Sequence, residues 1–132
     1  MNAERFEQVF DEQMKICADV LLSKSKEYAI KNEDRLQHFK RTSGFLKTTP
    51  EDALIGMLSK HLISVVDMCR DTETVYPIEQ WTEKITDTIN YLLLLKGIVV
   101  EKDEARKEQA VKVTEPEAEA PVRTRRTING QD

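Results

Sequence analysis

Two prolines, Pro50 and Pro77, each stand at the head of a run in which apolar side chains return every three or four residues. Such spacing commits the middle of the chain to helices. Thr49-Pro50-Glu51-Asp52 reads as a helix start: a capping hydroxyl, proline at the first helical position, and acids near the positive end of the helix dipole. Leu54, Leu58, Leu62, Val65 and Cys69 mark the inward stripe of that helix, and the polar run from Arg70 to Thr74 ends it. Pro77 opens the next helix, with Trp81, Ile85, Thr88, Leu92, Leu95 and Val99 as its inner face and an expected end near residue 110. Trp81 is expected to anchor the core.

Upstream, Phe6, Phe10, Met14, Cys17 and Leu21 recur at spacings of three and four, as a first helix over about residues 3–30 requires. Asn32, followed by Glu33 and Asp34, is placed to cap a shorter second helix carrying Leu36 and Phe39; Gly44 then ends it, and residues 42–48 form a loop. Glycine and proline are sparse, at four each, and no apolar alternation of period two recurs, so strands are not expected. From about Val113 the chain has two prolines, alternating acids and no apolar period, the composition of a disordered tail. The expected architecture is an all-α bundle of about four helices over residues 1–112, with a charged tail over 113–132.

Net charge is −4, which disfavours duplex nucleic acid as a partner. Yet residues 24–47 hold Lys24, Lys26, Lys31, Arg35, Lys40, Arg41 and Lys47 against Glu27, Glu33 and Asp34. A local basic patch on an acidic chain suits a small anionic ligand. Cys17 and Cys69 lack metal-ligand or disulfide spacing and are expected as reduced, buried thiols. The longest apolar stretch, Tyr91 to Leu95, is too short to span a bilayer, and the N-terminus lacks a signal-peptide pattern. A cytoplasmic chain with no membrane partner is expected. Ile98, Val99 and Val100 have no evident partner within one chain, which points to a homo-oligomer.

Polar residues interrupt both long helices. Lys60, His61, Ser64 and Asp67 fall together on the third; Glu83, Asp87 and Asn90 fall at i, i+4 and i+7 on the fourth, with Tyr91 adjacent. Burying such groups alone costs several kcal/mol, so they pair, face water or meet a ligand. The structural reading pairs Lys60 with Asp87 or His61 with Asp67. The functional reading has Asp67, Glu83 and Asp87 hold magnesium, while Lys60, His61 and the basic segment, Lys24 and Arg35 included, receive phosphate, and Asn90 and Tyr91 complete the ligand contacts. No glycine-rich phosphate loop, GxSxG or HExxH occurs in the chain.

K-S-K-E-Y-A at 24–29, N-E-D-R-L-Q-H-F at 32–39, G-M-L-S-K-H at 56–61 and E-K-I-T-D-T-I-N-Y-L-L-L-L at 83–95 together resemble small phage and prophage proteins, in a pattern similar to the nucleotide modification associated domain 1 group. A more distant similarity is to the MazG-like and dimeric dUTPase-like nucleoside triphosphate pyrophosphohydrolases, in which helix-borne acids bind magnesium and the nucleotide lies between helices. Those proteins carry an ExxE pair and a later ExxD. Here Asp87 matches the last acid, Lys84 stands where the glutamate of that pair belongs, and Asp67 has no acid three residues before it. The resemblance implies a nucleotide-handling protein with its cleft between the third and fourth helices. The activity expected on that resemblance is magnesium-dependent hydrolysis of a nucleoside triphosphate; with the acid set incomplete, the alternative is sequestering of a nucleotide signal without hydrolysis. A helical interaction module, including an inhibitor of a host protein, is the remaining alternative.

Overall fold

A computed structural model of the chain describes residues 1–28, 34–114 and 130, and the side chains of all of these except 24–28. Four helices form an all-α bundle: α1 (Ala3–Tyr28), α2 (Gln37–Leu46), α3 (Pro50–Arg70) and α4 (Ile78–Thr114). At 37 residues, α4 is about 55 Å long and serves as the spine. α3 runs antiparallel to it, as three cross-contacts show: Glu51 meets Lys102, Leu54 clusters with Ile98, and His61 meets Asp87. α2 packs on α3, and α1 packs on α4.

The expected start of α3 is present in detail. Thr49 has extended backbone, and its hydroxyl accepts the Asp52 amide at 3.2 Å, with Pro50 in the first turn and Glu51 and Asp52 beside the dipole. The α3–α4 connection is closed by Asp71. Its carboxylate accepts the Glu73 and Thr74 amides at 3.0 Å each and the Tyr76 hydroxyl at 2.7 Å. The Thr74 side chain first, then the Tyr76 hydroxyl and the two amides, hold the Asp71 carboxyl well below the usual carboxylate range; the Asp71 contact in turn raises the Tyr76 phenol.

Other expectations need correction. α2 runs through Gly44 and ends at Lys47, whose left-handed backbone (φ 55°) lets its amide and that of Thr48 reach back to Gly44 and Ser43, so residues 42–46 are helix rather than loop. The proposed cap at Asn32 lies outside the described residues, as does the tail from residue 115 to 129; α4 itself continues through Val113 and Thr114.

The core is small: Phe39, Leu54, Leu58 and Ile98, with Leu36, Met57, Tyr91, Leu94 and Leu95 packed against it. On α3 the buried line is Leu54, Leu58 and Met68, whereas Leu62 and Cys69 are exposed. On α4 the fully buried residues are Thr86, Asn90 and Ile98; of the expected stripe, Leu95 packs against the core, Trp81 and Thr88 are half-buried, and Ile85, Leu92 and Val99 are exposed. Trp81 is half-buried, edge-on to Tyr76 at 6.2 Å. Phe6 and Phe10 are exposed, and α1 meets α4 through buried Cys17 and through Gln13, whose carboxamide donates to the Thr86 hydroxyl at 2.8 Å. Among the described residues no helix is long and apolar enough to cross a membrane.

Candidate functional site

α3 and α4 bring His61, Asp87 and Tyr91 together. His61 Nδ1 lies 3.3 Å from Asp87 Oδ2, and its ring centroid is 5.1 Å from that of Tyr91, the planes tilted by 34°. Tyr91 in turn meets Phe39 edge-on at 6.4 Å, so α2 fixes the ring that backs the imidazole. Asn90 stands one turn beyond Asp87 on α4 and is only 6% exposed. Among the described residues its Oδ1 has no hydrogen-bond partner. A buried amide oxygen left unpaired costs about 1–3 kcal/mol; the other such atom among the described residues is Glu51 Oε2, whose carboxylate is engaged by Lys102 through Oε1.

The observed pair is His61 with Asp87, and neither Lys60–Asp87 nor His61–Asp67 is formed. Helical phase explains this. His61 lies on the line of α3 that faces α4, while Lys60 and Asp67 sit about 100° or more around the helix and are exposed. Glu83 is exposed and contacts Lys84 at 3.3 Å. Asp67, Glu83 and Asp87 therefore do not converge; among the described residues no three His, Cys, Asp or Glu side chains gather to hold a metal ion.

The basic segment divides. Arg35 is exposed just ahead of α2, and Lys24 belongs to α1 with its side chain outside the described residues. Lys40, which the motif reading did not single out, bridges Asp34 at 2.5 Å and Glu101 at 2.6 Å, tying α2 to α4. Asp34, mainly through the Lys40 contact, is held below its ordinary range, and Lys40 is held above its own by Asp34 first and Glu101 second. A surface concavity of about 520 Å³ beside α2 is lined by Gln37, His38, Arg41, Thr42 and Phe45; of these, Arg41 belongs to the basic segment read from the sequence.

Sequence reasoning missed the Gln13–Thr86 contact. Its signal was available: Thr86 shares the face of Asn90 and Glu83 rather than that of the apolar stripe. No family model, curated protein or solved structure matches this chain.

Proposed function

We propose that the protein binds a nucleotide, or another small phosphate-bearing ligand, at the niche formed by His61, Asp87, Asn90 and Tyr91 on the α3–α4 seam. The observation that carries this reading is the buried Asn90 Oδ1, unpartnered among the described residues and one helical turn along α4 from the Asp87 that meets His61. An amide acceptor of this kind takes an N–H from a base edge, and the Asp87 carboxylate accepts a second one. Arg35 and Lys24 are the cations assigned to the phosphates.

Binding without hydrolysis is the preferred form of the proposal. The separation of Asp67, Glu83 and Asp87 does not fit a magnesium ion held by the protein alone, so magnesium enters only as the ion that accompanies the ligand's own phosphates. The phage-type assignment, which rests on the sequence motifs, belongs to the same proposal, as does a cytoplasmic setting.

The test is a thermal-shift screen of nucleoside mono-, di- and triphosphates with and without magnesium. A true ligand present at about one hundred times its dissociation constant should add about 2.7 kcal/mol to stability. If none of these compounds raises the melting temperature, the niche is structural.

A further inference from the structure

Two mostly apolar rows lie side by side on the long helices. On α3 the row is Ile55, Ser59, Leu62, Val66 and Cys69, all exposed; on α4 it is Trp81, Ile85, Thr88, Leu92, Leu95 and Val99, of which Ile85, Leu92 and Val99 are exposed, Trp81 and Thr88 are half-buried, and Leu95 also packs against the core. Both advance by alternating steps of three and four, the spacing of a seam that packs on another helix. Among the described residues nothing buries six of their aliphatic members: Ile55, Leu62, Val66, Ile85, Leu92 and Val99 are each 37% to 50% exposed.

Helix geometry places the two rows on one face. On α4 the row lies about 100° around from the line Asp87–Tyr91–Leu94–Ile98 that meets α3. On α3 it lies about 90° around, in the same rotational sense, from the line Leu54–Leu58–His61 that meets α4. Because the helices are antiparallel, equal offsets of the same sense open on the same side. α1 and α2 occupy the other side: Thr86, which meets α1, and Gly97, which meets Leu36 ahead of α2, fall about 100° or more from the α3 line in the opposite sense.

We infer that this α3–α4 face is the interface of a homodimer, in which a second copy of the chain lays its own α3–α4 pair across the first as a four-helix layer. Six half-exposed aliphatic side chains present roughly 500 Å² of contiguous apolar surface, the upper end of what monomers carry; two copies with their rims reach the range of a specific interface. The rim is self-complementary in charge. Asp52 and Arg70 flank the α3 row, and Lys96 and Asp103 flank the α4 row, so the patch meets its own copy without like-charge excess. The chain's own C-terminal segment is a poor cover, since residues 115–132 contain only Val122 and Ile128 as large apolar groups. The inference stands apart from the ligand reading, because Asn90 and Asp87 face away from the proposed interface.

Sedimentation equilibrium of the full chain at micromolar concentration tests it. The expected species has twice the 15.3 kDa chain mass. Leu62→Glu and Leu92→Glu should each weaken the dimer by about 100-fold or more while keeping the helical circular dichroism, because a two-fold interface feels each change twice. Phe45→Glu, at an exposed apolar residue of α2 off this face, should leave the dimer intact. A second measurement needs no substitution: Cys69 lies in the α3 row while Cys17 is buried, so thiol labelling should slow as protein concentration rises through the dimer range. A monomeric wild type, a dimer indifferent to Leu92→Glu, or a labelling rate independent of concentration each overturns the assignment, whether or not any nucleotide binds.

Discussion

His61 Nδ1 and Asp87 Oδ2 approach to 3.3 Å across the α3–α4 seam, at side-chain exposures of 15% and 31%. Water thus still reaches the carboxylate, and the pair's value is limited by screening. A double-mutant cycle of His61→Ala and Asp87→Ala, read by urea unfolding, should give a coupling of about 0.5–1 kcal/mol. A coupling of several kcal/mol would identify the pair as a structural lock rather than an accessible contact.

Asp71 and Tyr76 predict a pH window. The Asp71 carboxyl is depressed in the folded chain, so its contribution is present above its unfolded value and is lost as pH falls through the folded one. The Tyr76 phenol is raised, so its contribution is complete below the unfolded value near 10 and is lost as pH rises through the folded one. Asp71→Asn should therefore lower the melting temperature at neutral pH and flatten the acid limb of its pH profile. An unchanged acid limb would show that the turn does not depend on the charge.

Thr49→Ala should cost about 1 kcal/mol, the usual value of a lost helix cap, since the hydroxyl accepts the Asp52 amide. Thermal or denaturant unfolding reads this directly. Thr49→Asp should retain most of the stability, and failure of that rescue would point to a packing role for the methyl group.

The start of α3 was legible because its signals are local: a hydroxyl, a proline and two acids within four residues. The inner face of α4 was not. Its apolar period runs through Trp81, Ile85, Leu92 and Val99, whereas the chain buries Thr86, Asn90 and Ile98. Periodicity finds the most apolar stripe of a helix, and nothing in a single sequence says whether that stripe is covered by the same chain. Cys69, expected inside and found exposed in the matching row of α3, fails for the same reason. His61 was singled out correctly as a seam residue. Its partner was not identified, because i, i+3 and i, i+4 neighbours are visible in sequence and cross-helix register is not.

Trp81 illustrates the consequence for stability. A fully buried tryptophan truncated to alanine costs about 3–5 kcal/mol, but this one is half-buried against Tyr76, so Trp81→Ala should cost about 2 kcal/mol in the isolated chain. As the single tryptophan, it also reports its surroundings. Its emission should shift to shorter wavelength as concentration rises if the α4 row becomes covered, and a spectrum independent of concentration would count against that burial.

Asn90 separates a ligand site from a structural seam most sharply. The residue is 6% exposed and its Oδ1 is unpaired among the described residues, so that oxygen bears a desolvation cost without a compensating bond from them. Leucine has the same branching at Cγ and no polar atom. Asn90→Leu should consequently raise stability by about 1 kcal/mol, less any strain from its larger volume, as removing an unsatisfied buried group does. The same variant should lose the nucleotide-dependent rise in melting temperature, because the acceptor that reads the ligand is gone. Gain in stability together with loss of ligand response is the signature of a group kept for binding at the expense of the fold. If Asn90→Leu instead destabilises the chain and the remaining folded protein still responds to nucleotide, Asn90 serves packing, and the ligand contact must be sought elsewhere on the seam.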